Sequence, residues 1–290
     1  YLVGSGSSQS LLVVGEGDPT MVEEKLLEIA KEIKQRGINS LNTIYFDSSR
    51  YVEASTASGS RAHDAANSAL LVNHGSLAVK IHPTSLGKSA EVIPSMGSGY
   101  KVRGSVVTVA GGMDSCSAVL SNGVVTVSGK IGVNNHEKII YLAVSDPSRL
   151  FATMLRNFLI GFGVEIKREN EFIATPTYRS QIANEVTSNA QKLMIVESIP
   201  LREILSLLNK FSNNVVADQI VYALGRDQNG YYSNDRGLAI IRRYLQGELS
   251  SDCPNCRVSD GSGLSRSNQI TPNVLTKIIS KSATKDGSIS

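Results

Sequence analysis

The sequence predicts a multidomain α+β fold, and three observations support this prediction. Two strand-like runs, at 11–14 and 44–47, enclose a helical pattern near the start of the chain. Residues from about 66 to 145 are rich in β-branched runs and turn signals. Helical periodicity returns at residue 146 and recurs up to a final short helix. With 290 residues, the chain has room for two domains or one large one.

Composition argues against several classes of function. Hydrophobic residues make up 41% of the chain and charged residues 19%, which favours a packed core over disorder. The net charge is only +3, and the longest basic run is Arg242-Arg243, so no nucleic-acid partner is predicted. Tryptophan is absent, which argues against a platform that stacks bases or sugars. No apolar run approaches the roughly 20 residues that would span a bilayer.

The first region has the order strand, glycine loop, helix, strand, which is that of a βαβ unit. Thr20 and Glu23 have the spacing of a capping box, which predicts a helix N-terminus at this point. Gly37 is the predicted stop signal of that helix. The loop at 15–20 contains a GxG but neither a full GxGxxG nor a GK[ST] ending. We therefore interpret it as a structural turn and not as a phosphate-binding loop.

The β-rich stretch carries a clear hairpin signal and no metal signature. Asn122-Gly123 stands between two apolar runs and predicts a type I′ turn. His74, His82 and His136 lie on different predicted strands and loops, without an HxH or HExxH spacing. We expect each to be a surface or hydrogen-bonded histidine, and we predict no metal and no cofactor. The CxxC at Cys253 and Cys256 indicates a local disulfide or two buried thiols.

Two helices are predicted on either side of a polar step at 212–214. Apolar residues recur at helical spacing from Leu201 to Leu208 and again from Val216 to Leu224, so both helices are expected to be buried. The step itself is Ser212-Asn213-Asn214. It fits a helix cap, because Ser and Asn are preferred N-cap residues. A functional site is the alternative.

A second candidate site is the glycine-rich segment 260–266, DGSGLSR. Its glycines allow the backbone to approach another segment or a ligand closely. Arg266 adds a cation that can pair with a carboxylate bidentately. A tight turn with an exposed arginine is the alternative.

Four segments, taken in order, resemble one known family. They are GEGDPT at 15–20, Ser68-Ala69-Leu70 with Asn73, the Ser-Asn-Asn step, and DGSGLSR with Asn268 and Thr271-Pro272 after it. The chain resembles the penicillin-binding protein 4-type D-alanyl-D-alanine carboxypeptidases/endopeptidases, which are class C penicillin-binding proteins of serine peptidase family S13. The resemblance spans nearly the whole chain, and DGSGLSR is its most specific part.

The resemblance implies a penicilloyl-serine transferase domain of the β-lactamase/transpeptidase type, present in part. An inserted βαβ-containing domain with a nested β-rich domain would interrupt it. On this basis residues 1–75 belong to the catalytic and inserted βαβ-containing region and 76–145 to the nested domain. Residues 146–195 return to the inserted domain, and 196–290 form part of the catalytic domain.

The resemblance also implies a chemistry and a set of site residues. The family uses an SxxK nucleophile, an SxN motif and a KTG motif to form an acyl-enzyme. Ser212 and Asn214 match SxN, which implies that they relay a proton and hold the substrate amide. Substrate-binding residues would come from the glycine-rich segment: Asp260, Gly261, Ser262, Gly263 and Arg266. The implied substrates are peptidoglycan stem peptides, with β-lactam antibiotics as inhibitors, in the periplasm or otherwise outside the cytoplasm.

The other two motifs have no acceptable match in the chain. SxxK is spelled at 85–88 and at 282–285, but the first carries a glycine that suits a loop and the second follows DGSGLSR. Lys285-Asp286-Gly287 lacks the strand that should carry KTG. We therefore expect a fragment that begins after SxxK, stops before KTG and is inactive alone. Because it begins at Tyr1, the missing signal peptide says nothing about location.

Two other functions remain open at this point. A family member that has lost catalysis would be a module that binds wall peptides. A β-lactamase shares the catalytic fold but gives no reason for the long β-rich insertion, so we rank it lower. The oligomeric state is not predicted.

Overall fold

The structure, a computed structural model, describes residues 1–53, 57, 59–175, 179, 190–249 and 256–286. The described helices are α1 (Glu23–Gln35), α2 (Pro147–Gly161), α3 (Leu201–Phe211), α4 (Asn214–Leu224), α5 (Asn234–Leu249) and α6 (Pro272–Asp286). The described strands are β1 (Leu2–Val3), β2 (Ser10–Val14), β3 (Ser40–Leu41), β4 (Ile44–Asp47), β5 (Ser76–His82), β6 (Glu91–Pro94), β7 (Lys101–Gly104), β8 (Val107–Val109), β9 (Ser117–Ser121), β10 (Val124–Ser128), β11 (Lys130–Gly132), β12 (Lys138–Ala143), β13 (Glu165–Ile166) and β14 (Glu171–Ile173).

The predicted βαβ unit is present. Strands β2 and β4 pair in parallel, with Leu11 opposite Ile44, in a sheet of order β1-β2-β4-β14. Helix α1 connects the two strands and packs against α2, which also contacts β4. Leu26, Ala30 and Ile33 are the buried face of α1, as its apolar spacing predicts.

The capping box predicted for α1 is wrong. The side chain of Thr20 bonds back to Asp18 and makes no cap to the helix. Instead Asn73, fifty residues further along the chain, accepts the backbone N–H of Glu23 at 3.0 Å. Its amide also donates to the carboxylate of Glu23 at 3.1 Å. A long-range contact therefore replaces the local one that the spacing indicates.

The β-rich stretch folds into several small sheets. Strands β12, β5 and β6 form an antiparallel sheet, and β9 and β10 form the predicted hairpin. Asn122 and Gly123 both have positive φ, at 49° and 74°, as a type I′ turn requires. Residues of this stretch, including Leu77 and Ile131, share one buried cluster with the βαβ unit. The domain boundaries at 75, 145 and 195 stay a prediction.

The C-terminal helices α4 to α6 enclose a small core of their own. Its buried members are Val221, Leu238, Leu245, Val258 and Val274. A separate cluster, formed by Tyr51, Ala69, Tyr222 and Tyr232, joins these helices to the rest of the chain. Within the described ranges, every helix is too short or too polar to cross a membrane.

The prediction that both helices around residue 212 are buried is wrong in part. Helix α3 buries only Ile204, and Leu201 and Phe211 are exposed by 59% and 68%. The reason is that α3 packs mainly against α4, so its outer face has no partner among the described elements. The buried face of α4 is also rotated from the predicted stripe, because it is centred on the polar residue Gln219.

The cysteines fall into two groups. Cys116 carries a free thiol, and Cys256 is disulfide-bonded. Cys253 lies outside the described residues, so its part in the predicted local disulfide stays a prediction.

Candidate active site

The Ser-Asn-Asn step joins α3 to α4, and its middle residue carries the cap. Asn213 accepts the backbone N–H of Val216 at 3.1 Å, which makes it the N-cap of α4. Ser212 ends α3 through its backbone: its φ is 52°, and its N–H donates to the carbonyl of Leu208 at 2.7 Å. The side chains of Ser212 and Asn214 make no hydrogen bond to any residue that the structure describes. Capping therefore leaves both of these side chains available for another role.

The step lines a cavity of about 480 Å³, which we call the junction cavity. One wall consists of residues 211–214, and the N-terminus of α1 forms another with Glu23 and Glu24. The turn at Asn73 and His74 and one face of the β12-β5-β6 sheet complete it. Burial lowers the pKa of His74 below its ordinary value. The polar step thus opens onto a space that residues of α1 and of the β-rich stretch also line.

Asp218 ties the glycine-rich segment to α4. One carboxylate oxygen of Asp218 accepts the backbone N–H groups of Gly261 at 2.9 Å and of Ser262 at 3.0 Å. Burial raises the pKa of Asp218, and these two hydrogen bonds oppose that rise. Asn214 and Asp218 are four residues apart, so they lie on the same face of the helix, about 6 Å apart along its axis. Segment 260–263 therefore docks one turn away from Asn214.

Asp260 organises the glycine-rich segment from inside. Its two oxygens accept the N–H of Gly263 at 2.9 Å, the N–H of Ser265 at 2.6 Å and the side-chain amide of Asn268 at 2.6 Å. Burial alone would raise the pKa of Asp260, but these bonds, led by Asn268, hold it below its ordinary value. Asp260 is thus a structural anchor of the loop.

Gly261 is where the predicted close approach occurs. A Cβ at this position would lie 2.5 Å from Cγ2 of Val221 and 2.8 Å from the carbonyl oxygen of Ala217. Both contacts are on α4, so the helix and the loop need a residue without a side chain here.

Gln219 links α4 to the motif segment that begins at Ser68. It is 1% exposed; its amide donates to the carbonyl of Ser68 at 2.9 Å, and its oxygen bonds the hydroxyl of Tyr51. Close by, the hydroxyl of Tyr232 donates to the carboxylate of Glu16, in the 15–20 loop, at 2.8 Å. The segments that are scattered in the sequence therefore meet around α4.

Arg266 and the two SxxK spellings stand apart from this arrangement. Arg266 is exposed and forms no ion pair with any described residue, and no residue of 260–266 lines the junction cavity. Residues 85–88 form a turn, with Gly87 at φ 77° and the N–H of Lys88 donating to the carbonyl of Ser85 at 3.0 Å. The spelling at 282–285 lies in α6, where its side chains are outside the described residues.

Sequence reasoning missed Asp218, Gln219 and the capping role of Asn73. A signal for the first two exists: a polar pair interrupts the apolar pattern of α4, one turn after Asn214. Asn73 has no comparable signal, because only the fold brings it to α1.

Two solved structures place the chain in a fold class. Penicillin-binding protein 4 of Haemophilus influenzae superposes with a TM-score of 0.71 and 19% identity, over 99% of this chain and 65% of that one. A second structure of that protein, in complex with a β-lactam, superposes with a TM-score of 0.64 and the same identity and coverage. The fold is therefore that of a penicillin-binding protein.

The chain belongs to the D-Ala-D-Ala carboxypeptidase 3 (S13) family, whose pattern it matches over residues 3–289. It is 28% identical to a D-alanyl-D-alanine carboxypeptidase of Actinomadura sp. (strain R39), over 94% of this chain and 52% of that protein. It is 26% identical to penicillin-sensitive carboxypeptidase A of Dictyostelium discoideum, over 98% of this chain and 58% of that protein. The chain thus spans little more than half the length of these relatives.

Proposed function

We propose that the full-length protein is a serine-type D-Ala-D-Ala carboxypeptidase that also acts as a peptidoglycan DD-endopeptidase. It acts through an acyl-enzyme on the stem peptides of the cell wall. The observation that supports this proposal is that the three residues of the Ser-Asn-Asn step have different structural environments. Asn213 caps α4, whereas the side chains of Ser212 and Asn214, beside the junction cavity, make no hydrogen bond to the described residues. Two such side chains beside a cavity are what a proton relay and a substrate clamp require.

Each site residue has a role in this proposal. Ser212 relays a proton toward the leaving D-alanine, and Asn214 holds an amide of the substrate. Segment 260–263, which Asp218 fixes to α4, supports the geometry of that clamp. Arg266 is exposed and forms no ion pair within the described part of the chain, and it pairs with the carboxylate on the diamino-acid side chain of the stem peptide.

The same proposal covers inhibitors and location. β-Lactams mimic the acyl donor and acylate the nucleophile of the full-length protein. Because the proposed substrate is the stem peptide of the cell wall, we place the full-length enzyme in the periplasm or otherwise outside the cytoplasm.

The test of Ser212 is acylation of the full-length protein by a fluorescent penicillin. Ser212→Ala should slow acylation by about 10²–10⁴-fold, the usual range for a lost proton-transfer group. Ser206→Ala is the matched control, because Ser206 is also an exposed serine, on α3. Near-normal acylation of the Ser212 variant would remove that residue from the mechanism. The 290-residue chain alone should remain unlabelled.

The test of Arg266 compares stem peptides whose diamino-acid side chain is free or amidated at its carboxylate. Arg266→Ala should abolish the preference for the free form, and Arg243→Ala, another exposed arginine, should retain it. If Arg266→Ala left the discrimination unchanged, that role would be wrong. A full-length protein that binds stem peptides but is not acylated would instead be a wall-peptide binding module.

A further inference from the structure

Backbone strain is concentrated around the junction cavity. Among the residues that the structure describes, four non-glycine residues have positive φ: Asn73, His74, Asn122 and Ser212. Asn122 belongs to the hairpin turn, where this conformation is expected. The other three all line the junction cavity. Such conformations cost of order 1 kcal/mol each and occur preferentially at ligand sites, so this cavity is distinguished from the rest of the surface.

One wall of the junction cavity is a face of the β12-β5-β6 sheet. Successive residues of β5 point to opposite sides: Leu77, Val79 and Ile81 are in the core, whereas Ser76, Ala78 and Lys80 line the cavity. Tyr141 on β12 lies opposite Ala78 and adds an aromatic ring to this face. The nested β-rich stretch therefore contributes residues to the same cavity as the Ser-Asn-Asn step.

Two polar groups on this wall lack partners among the described residues. The hydroxyl of Ser76 makes no hydrogen bond, although the residue is only 1% exposed. A buried hydroxyl without a partner is costly, and a bound ligand can supply the missing bond. Lys80 is half-buried, and it forms no ion pair with any residue that the structure describes. A half-buried, unpaired ammonium favours an anionic ligand.

Neither acidic residue of the cavity, Glu23 or Glu24, forms an ion pair with Lys80. Glu23 is buried, bonds to the amide of Asn73 and lies in the first turn of α1, where the helix dipole stabilises a negative charge. Glu24 is exposed in that same first turn. His63 is within 3.7 Å of Asp64, which balances its charge when it is protonated. The charge on Lys80 is therefore left for a ligand.

We infer that the junction cavity is a second recognition site, in which Lys80 binds a peptide carboxylate and Ser76 and Tyr141 hold the adjoining chain. This inference rests on the proposed function for the identity of the peptide: the part of the stem peptide upstream of the D-alanines, whose D-glutamate carries a free α-carboxylate. The scissile end would lie at Ser212 and the upstream part against the sheet. The nested β-rich stretch would thereby select substrates.

Direct binding tests this site without requiring catalysis. The probe is acetyl-L-Ala-γ-D-Glu-L-Lys with an amidated C-terminus, compared with the same peptide amidated at the glutamate α-carboxylate. Neither peptide contains D-Ala-D-Ala, so failure of the proposed enzymatic function would leave this result unaffected. Titration calorimetry of the 290-residue chain should give at least about tenfold tighter binding of the carboxylate form, the range of one charge-assisted hydrogen bond.

Three variants decide the outcome. Lys80→Gln should abolish the difference between the two peptides, and Lys80→Arg should retain it. Lys88→Gln, at an exposed lysine in the 85–88 turn, should behave as the unmodified chain. Circular dichroism of each variant checks that it is folded. Equal affinity for the two peptides, absence of binding at millimolar concentration, or a preference that survives in Lys80→Gln would each overturn the inference.

Discussion

The carboxylate of Asp218 accepts the backbone N–H of Gly261 at 2.9 Å, and this bond joins the helix of the Ser-Asn-Asn step to the glycine-rich segment. The same oxygen also accepts the N–H of Ser262. Asp218 and Gly261 are 43 residues apart in the sequence, so no local sequence pattern predicts the contact. The two segments that resemble family motifs are in this way one structural unit.

Removing this carboxylate should destabilise the unit. Asp218→Ala leaves the N–H groups of Gly261 and of the half-buried Ser262 without their acceptor, which should lower the free energy of unfolding by about 1–3 kcal/mol. Asp218→Asn keeps an acceptor oxygen and should therefore lower the free energy of unfolding by less. Urea denaturation measures both, with Asp235→Ala, at an exposed aspartate of α5, as control. A loss no larger than that of the control would contradict a structural role for Asp218.

Gly261→Ala should also destabilise the chain, because the new Cβ would meet α4 at 2.5 and 2.8 Å. The expected loss is about 1–3 kcal/mol, typical of overpacking. Gly247→Ala in α5 is the matched control with the opposite expected effect, because nothing lies within 4 Å of its Cβ position. That change should stabilise the helix by roughly 0.5–1 kcal/mol. Thermal unfolding of both variants should therefore shift in opposite directions.

Asn73 should behave as the cap of α1. Asn73→Ala removes the acceptor of the Glu23 N–H and should lower the free energy of unfolding by about 1–2 kcal/mol. Asn73→Gly loses the same bond but suits the φ of 50° better, so it should be less damaging than alanine. Guanidinium denaturation ranks the three proteins. If the glycine variant equalled or exceeded the stability of the unmodified chain, the cap would contribute nothing.

Stability should fall at alkaline pH because of Tyr222. Burial, aided by the charge of Glu53, raises its pKa to about 12. The folded state then holds the phenolic proton more tightly than the unfolded state, whose pKa is near 10. The stabilisation that this difference in pKa provides is complete below about pH 10 and is lost as the pH rises toward 12.

The measurement compares free energies of unfolding at about pH 9 and about pH 11. The unmodified chain should lose about 1 kcal/mol more than Tyr222→Phe over this interval. Tyr244→Phe, at an exposed tyrosine of α5, should lose as much as the unmodified chain. Equal losses in all three proteins would contradict the assignment to Tyr222.

Local patterns in the sequence were sufficient for several elements. The βαβ order and the Asn122-Gly123 hairpin depend on neighbouring residues, and the structure contains both. The same is true of the two helices around residue 212, whose limits follow from short-range spacing. The burial of these two helices could not be predicted from local spacing, because it depends on which other segments pack against them.

The sequence by itself determined the α+β class, the positions of most elements and the family to which the chain belongs. It also singled out Ser212 and Asn214, but it could not separate capping from function. Only the tertiary structure assigned the cap to Asn213 and placed the flanking residues at the junction cavity, and the catalytic roles of Ser212 and Asn214 stay a prediction. The physical reason is that contacts such as Asp218 to Gly261 and Asn73 to Glu23 join residues far apart in the chain. Such contacts exist only after the backbone has folded.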